Sequence, residues 1–283
     1  MNIQIMIGGI RFRFDSNFEM TVDESLTPFL CAGEEYGDVN IKVICAERKA
    51  MKPDLKMSGE DLLLEYYHQE DQILCMAKGG IGGYLSTTAC DNSFKNLECY
   101  LHFTPQGAMR SVGNLMRLLP ICSILRNNHV LFFHASQIAV MGQGILFTAP
   151  SGTGKTTQAK LWQKHRGAKI VCNDRVLIKN RKTYGYPVDG SEPVRSSEIF
   201  PLGAIVLLEQ SIENEIERLK PRKALVKLME QLIFDSWNSK AKVAVVSQMI
   251  DLLNEYPVYL LRCTPDEKAV LCLEQKLKED GVI

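Results

Sequence analysis

The run Ala149–Thr156, A-P-S-G-T-G-K-T, contains the residue types that a polyphosphate requires. Phosphate oxygens are held by several converging backbone N–H groups, and only small residues let the chain approach that closely. Gly152 and Gly154 meet this demand between Ser151 and Thr153, and a helix starting at Lys155 adds the positive end of its dipole. Lys155 can reach the β- and γ-phosphates, the Thr156 hydroxyl can ligate Mg²⁺, and Thr157 continues the cradle. Alanine stands at position 149 where the usual pattern has its first glycine, so the motif rests on its context. That context is an apolar strand, GILFTAP, followed by an amphipathic helix, TTQAKLWQK. Nucleotide binding is the expectation.

A phosphate loop that does chemistry needs an acid near the metal. Two apolar strands end in one: AIVLLE in Glu209, and AKIVCND in Asp174. Strand 145–148, helix 155–165 and strand 169–173 make a βαβ crossover. Its strands run parallel and open their carboxyl ends on the same side, where ligands of such sheets bind. Asp174 is therefore expected at the mouth of the loop. Glu209, followed by the polar QSIENEIE, fits better as the end of a core strand. His134 is placed by similar reasoning. MGQG (141–144) reads as a hairpin turn, and pairing about Gly142-Gln143 sets His134 opposite Ser151, within about two residues.

Taken together, HAS…GILFTAPSGTGKTT…AKIVCNDRVLI resembles the HPr serine kinase/phosphorylase group and its HPr-kinase-like relatives. These belong to the phosphoenolpyruvate carboxykinase-type phosphate-loop fold. The resemblance carries specific motifs over roughly 129–210 and extends more loosely to 283. It implies a relative of the HPr kinases rather than a true HPr kinase, because their C-terminal signature is missing and residues 1–104 do not look like their usual N-terminal domain. It further implies ATP and Mg²⁺ as cofactors, with Lys155 and Thr156 on the phosphates and the metal. His134 matches the family's histidine upstream of the loop. The acid pair after the loop helix falls on Asn173 and Asp174, so Asp174 inherits the role of general base toward an acceptor serine and stands with Thr156 as a metal ligand. Asn173 departs from the pattern. The family's downstream metal-binding glutamate has two candidates in GSEPVRSSEIF, Glu192 and Glu198, with Arg195 a candidate phosphate contact.

These residues need elements to hold them. With 283 residues, 46% of them hydrophobic, the chain can bury a sizeable core. Lys plus Arg equals Asp plus Glu at 33 each, and no basic stripe with interleaved aromatics occurs, which argues against nucleic acid as a partner. No apolar run is long enough to span a membrane, and the N-terminus reads as a β-hairpin built on Ile3, Ile5, Ile7, Ile10, Phe12 and Phe14 rather than as a signal peptide. The nine cysteines form no C-x-x-C pair and read as buried free thiols of a cytoplasmic protein. Residues 1–105 look β-rich and antiparallel, and KGGIGGY (78–84) reads as a hairpin turn. Helical periodicity begins after Pro105, is interrupted at Pro120, and ends near 126–128. The overall class is α/β (α+β overall), a carboxykinase-like phosphate-loop domain over 106–283 behind a β-rich N-terminal domain over 1–105. A last helix follows Thr264-Pro265-Asp266, read as N-cap, first-turn proline and first-turn acid. Trp162 reads as core, and Arg218, Lys220, Arg222, Lys223 and Lys227 as a solvated helix start.

The function expected from these residues is an ATP- and Mg²⁺-dependent kinase. Its acceptor would be a serine-type hydroxyl on a protein, peptide or small molecule, and self-assembly is left open. Two alternatives stand beside it: a nucleotide-binding regulatory module with little transferase activity, and a hydrolytic NTPase using Glu209.

Overall fold

The computed structural model describes residues 2–33, 36–45, 53–69, 71–188 and 196–283. Contacts divide the chain into two units, one made of Met1–Asn128 with Asp235–Lys242, the other of His129–Phe234 with Val243–Ile283.

In the first unit, strict alternation of apolar residues produces the opening hairpin. β1 (Asn2–Ile7) pairs antiparallel with β2 (Ile10–Ser16). The turn between them is Gly8-Gly9, with φ of 60° and 67°, a backbone that favours glycine. The six alternating apolar side chains are buried, as expected. β3 (Val39–Cys45), β4 (Met57–Glu60), β5 (Leu64–Gln69), β6 (Gln72–Lys78), β7 (Tyr84–Asp91) and β8 (Asn96–Leu101) complete an eight-stranded sheet. Its order is β1-β2-β3-β8-β7-β6-β5-β4. The sheet is mixed rather than antiparallel, because β2–β3 and β3–β8 are parallel. Alternation reports which face a residue takes, not which way its strand runs, so the sequence pattern is silent on this point. KGGIGGY closes the β6–β7 hairpin, with Lys78 paired to Tyr84 and the Gly79 N–H donating to the Gly83 carbonyl at 2.7 Å. The helical segment after Pro105 is two short helices, α1 (Val112–Met116) and α2 (Ile121–Asn127), separated at Pro120. Ser111 caps α1 by accepting from the Asn114 N–H at 3.2 Å.

The second unit is built on β9 (Leu131–Val140), β10 (Gln143–Thr148), α3 (Lys155–Arg166), β11 (Lys169–Cys172), β12 (Arg175–Lys179), β13 (Lys182–Gly185), β14 (Ile199–Gln210), β15 (Glu215–Arg218), α4 (Pro221–Met229), α5 (Ser239–Glu255, of which the part from Val243 belongs to this unit), β16 (Val258–Cys263) and α6 (Glu267–Glu279). The strands follow the order β10-β9-β12-β13-β14-β16-β15, β11 also pairs β9, and β10 also pairs β14. Alternate residues of each strand face opposite layers. Ala204, Val206 and Leu208 pack with Trp162 of α3 and Leu273 of α6. Ile205 and Leu207 pack with Leu228 of α4 and Met249 of α5. The core is therefore a sheet between two pairs of helices, and Trp162 is fully buried within it.

α3 stops at Gly167, whose φ of 63° ends the helix after Lys164, His165 and Arg166, as the sequence indicates. The start of α6 differs by two residues from the expected one. Asp266 itself is the N-cap, accepting from the Lys268 N–H at 2.9 Å, while the Thr264 N–H is satisfied by Asn214 at 3.1 Å. In the basic cluster, Arg218 pairs with Asp280, Lys223 with Glu217 and Lys227 with Glu209. No helix among the described residues is long and apolar enough to cross a membrane.

Two substitutions separate the core from the caps. Trp162→Ala should destabilise the protein by about 3–5 kcal/mol, and Asp266→Ala by about 1 kcal/mol, measured by urea unfolding followed through circular dichroism.

Candidate functional site

The phosphate loop joins β10 to α3. Gly152 and Gly154 have φ of 78° and 119°, conformations that L side chains adopt rarely. A Cβ at Gly152 would meet nothing within 4 Å, so the backbone conformation rather than lack of space requires glycine there. Ala149 is not among the positive-φ residues and is fully buried against α3 beside Phe147 and Ala159. A small residue with ordinary backbone suffices at that position, which is why alanine can replace glycine.

Lys155 is 7% exposed. Its ammonium donates to the carbonyls of Ala149 at 2.8 Å and Pro150 at 3.2 Å, folding the side chain back along the loop. Burial lowers its pKa, and the negative charge of Asp174 opposes that shift. Ser151 and Thr157 are exposed, whereas Thr153 and Thr156 are half-buried.

β9 positions the rest. Its turn with β10 falls on Met141-Gly142, with φ of 49° and 79°, so Thr148 pairs with Ala135. His134 consequently falls level with Ala149, two residues short of the expected Ser151. Two adjacent positive-φ residues match the twist of a hairpin, and methionine at the first of them gives no sequence signal. The Thr148 hydroxyl donates to the His134 carbonyl at 2.8 Å and ties the two strand ends together. On its other edge β9 pairs antiparallel with β11 and β12. β10 and β11 are therefore parallel to one another, with β9 between them. Arg175 is paired with His134, and the Ala135 N–H donates to the Asp174 carbonyl at 3.0 Å.

This register brings the two expected side chains together: His134 Nε2 lies 3.1 Å from Asp174 Oδ1. Burial and then the nearby Lys155 charge lower the His134 pKa from 6.5, only partly offset by Asp174. Burial and the Lys155 charge thus favour the neutral imidazole, whose Nε2 stands within hydrogen-bonding distance of the carboxylate. Arg175, which the motif reading passed over, lies 3.8 Å from Asp174 and over the Phe132 ring at 5.8 Å. Its basic side chain directly after the acid was the available signal. Asn173 is buried, and its carbonyl accepts from the Ser136 hydroxyl at 2.8 Å.

The other acids are elsewhere. Glu209 is bound by Lys227 at 2.8 Å and Arg262 at 3.3 Å, and these contacts, Lys227 first, lower its pKa. It belongs to the sheet face covered by α4. The next residue, Gln210, faces the loop, its amide nitrogen 3.4 Å from the Gly152 carbonyl. Period-two geometry at the end of β14 thus presents an amide, not an acid, to the phosphate loop. Glu198 is ion-paired with Lys169. Lys169 opens β11, whereas Asp174 lies past its carboxyl end, about 16 Å away at strand rise. Glu192 and Arg195 lie outside the described residues. Among the described residues no cluster of three or more His, Cys, Asp or Glu could hold a metal by itself. On the far side of the loop from His134, a cavity of about 360 Å³ opens between α3 and the ends of β14 and β16.

Known proteins match about half of the chain. HPr kinase/phosphorylase of Chloroherpeton thalassium is 26% identical over 148 residues, covering 52% of this chain and 42% of that protein. The structure of the HPr(Ser) kinase/phosphatase from Coxiella burnetii aligns over 53% of this chain and 93% of that one, with 14% identity and a TM-score of 0.31. The chain is thus a distant HPr kinase/phosphorylase-like relative, and the alignment spans less than half of the Chloroherpeton protein's length. The model of the family described as SynChlorMet cassette protein ScmC matches residues 97–269, a span that contains the phosphate loop, His134 and Asp174, and the chain belongs to that family.

Proposed function

We propose that this protein is an ATP- and Mg²⁺-dependent kinase that transfers the γ-phosphate to a serine-type hydroxyl of a protein, peptide or small molecule. The catalytic unit would be a carboxykinase-like phosphate-loop domain. The observation that carries this reading is the His134–Asp174 hydrogen bond of 3.1 Å, formed beside the buried ammonium of Lys155. Simple hydrolysis would ask for an acid at the end of β14, and that position carries Gln210.

The residues present suit a polyphosphate with its metal. The loop offers glycine backbone at positive φ and a buried cation bonded, among the described residues, to two carbonyls of its own loop. An isolated set of protein ligands is not required for Mg²⁺, which is commonly held by one or two protein oxygens together with phosphate oxygens. Thr156 and Asp174 are the residues assigned to it. When bound, the Mg-nucleotide supplies the phosphoryl group and the charge neutralisation that transfer needs.

The chain's own residues then have separate tasks. Gly152, Thr153 and Gly154 present N–H groups, and Lys155 exchanges its two carbonyl partners for phosphate oxygens. Asp174 accepts the proton of the acceptor hydroxyl as its oxygen bonds to phosphorus and the bond to the leaving diphosphate breaks. Neutral His134 holds the carboxylate in one orientation, and Arg175 adds positive charge beside it. All nine cysteines are free thiols, which supports a reducing, cytoplasmic setting.

Asp174→Asn should lower phosphotransfer by about 10²–10⁴-fold while sparing ATP binding. Lys155→Met should weaken both. The measurements are label transfer from ATP to candidate serine peptides or a lysate and, separately, calorimetric ATP binding. Near-wild-type transfer by Asp174→Asn would remove the assigned base. The charge coupling has its own readout in the His134 ring proton resonance. In the wild type this group should titrate below 6.5. Lys155→Met removes a cation that disfavours imidazolium and should raise the midpoint, whereas Asp174→Asn removes the carboxylate that favours it and should lower the midpoint.

A further inference from the structure

The phosphate loop has two flanks in the sheet. On the β9 flank stand His134 and Asp174, and on the β14–β16 flank lies the cavity of about 360 Å³. We infer that this cavity receives the nucleoside of the bound nucleotide, so that the polyphosphate runs over the first turn of α3 from β16 toward Asp174. The inference rests on the phosphate-loop reading above and adds to it the direction of the ligand and the residues that contact its nucleoside.

Three observations carry it. First, in-line transfer requires the acceptor and the nucleoside to occupy opposite ends of the triphosphate. With the candidate base on one flank, the nucleoside belongs on the other. Second, the cavity falls within the range of about 300–1,000 Å³ typical of small-ligand sites and has the usual mixed walls. Leu208 and Pro265 supply apolar surface, while Gln210 and Ser211 supply polar groups. Gln210 also reaches the Gly152 and Thr153 carbonyls at 3.4 and 3.5 Å, so the wall of the cavity is joined to the loop itself.

The third observation is Gln158, which lines the cavity from α3 and is only 2% exposed. One end of its amide meets Cys263 Sγ at 3.3 Å, and the Oε1 end has no partner. If the amide is turned over, the ends exchange roles and one remains unmatched. A buried polar group in that state is uncommon and costly in a folded protein. A ribose hydroxyl or the hydrogen-bonding edge of a base matches it in either orientation. Burial keeps the Cys263 thiol protonated at neutral pH, its pKa pushed up to about 11, so the amide faces a neutral neighbour and not a thiolate.

The test compares ATP with inorganic tripolyphosphate, which shares the phosphates and lacks the nucleoside. Binding of each, with Mg²⁺, is measured by calorimetry on the full chain for the wild type, Ser211→Trp and Gln158→Met, with thermal melts to verify folding. The wild type should bind both. Ser211→Trp, which fills the cavity, should weaken ATP by roughly 10–100-fold and leave tripolyphosphate within about twofold. Gln158→Met keeps the side-chain length, removes the amide, and should weaken ATP alone by roughly 3–10-fold. If either folded variant weakens both ligands equally or leaves ATP affinity unchanged, the nucleoside assignment is overturned and the phosphate-loop reading stands. If the wild type binds neither ligand, the phosphate-loop reading itself fails and this inference fails with it.

Discussion

Pairing of β9 along both of its edges is the constraint on which the rest of this unit depends. One edge carries β10, which delivers the phosphate loop, and the other carries β11 and β12, between which Asp174 sits. Because β9 contributes His134 itself, a single strand sets the spacing among cation, imidazole and carboxylate. The bonds that fix this spacing, from the Ala135 N–H to the Asp174 carbonyl and from the Thr148 hydroxyl to the His134 carbonyl, are separate from the side chains that would do the chemistry. The scaffold is therefore determined before any ligand arrives, the condition under which electrostatic positioning acts most effectively.

The electrostatics of the site follow from that arrangement. Lys155, Asp174, His134 and Arg175 form a small group in which each charge acts on the next. Burial and then Lys155 lower the His134 pKa, Asp174 moderates the effect of burial on Lys155, and Arg175 lies against the carboxylate. The sheet separates this group from a second ionic network, in which Glu209 is held by Lys227 and Arg262. Two acids at the ends of apolar strands of one sheet thus have different surroundings, because one faces the loop and the other faces α4.

Much of the site was legible in the sequence because it depends on local pattern. Gly152, Gly154 and Lys155 announce the loop, and the strand–helix–strand order brings Asp174 to the same side. His134 was legible to within two residues, the error arising from a turn that begins at Met141. What escaped the sequence depends on direction or on face. Parallel pairing of β3 leaves no trace in alternation, and Gln210 could be recognised only once the facing of β14 was known. Arg175 needed the antiparallel register of β12, and the cap of α6 turned on which of two neighbouring oxygens reaches a free N–H. Glu192 and Arg195 fall outside the described residues, while Glu198 is paired with Lys169 at the opposite end of β11.

The hairpin at Met141-Gly142 has an evolutionary consequence. From that turn to His134 the chain counts strand residues with a period of two, and β10 counts back from the same turn to Ala149. Adding or deleting one residue within either arm would turn His134 or the loop toward the opposite face of the sheet, whatever the residue inserted. Length between the turn and the loop therefore constrains the site more tightly than identity along much of it. Among relatives, insertions should collect beyond Met141-Gly142, at the exposed tip, where they leave the count unchanged.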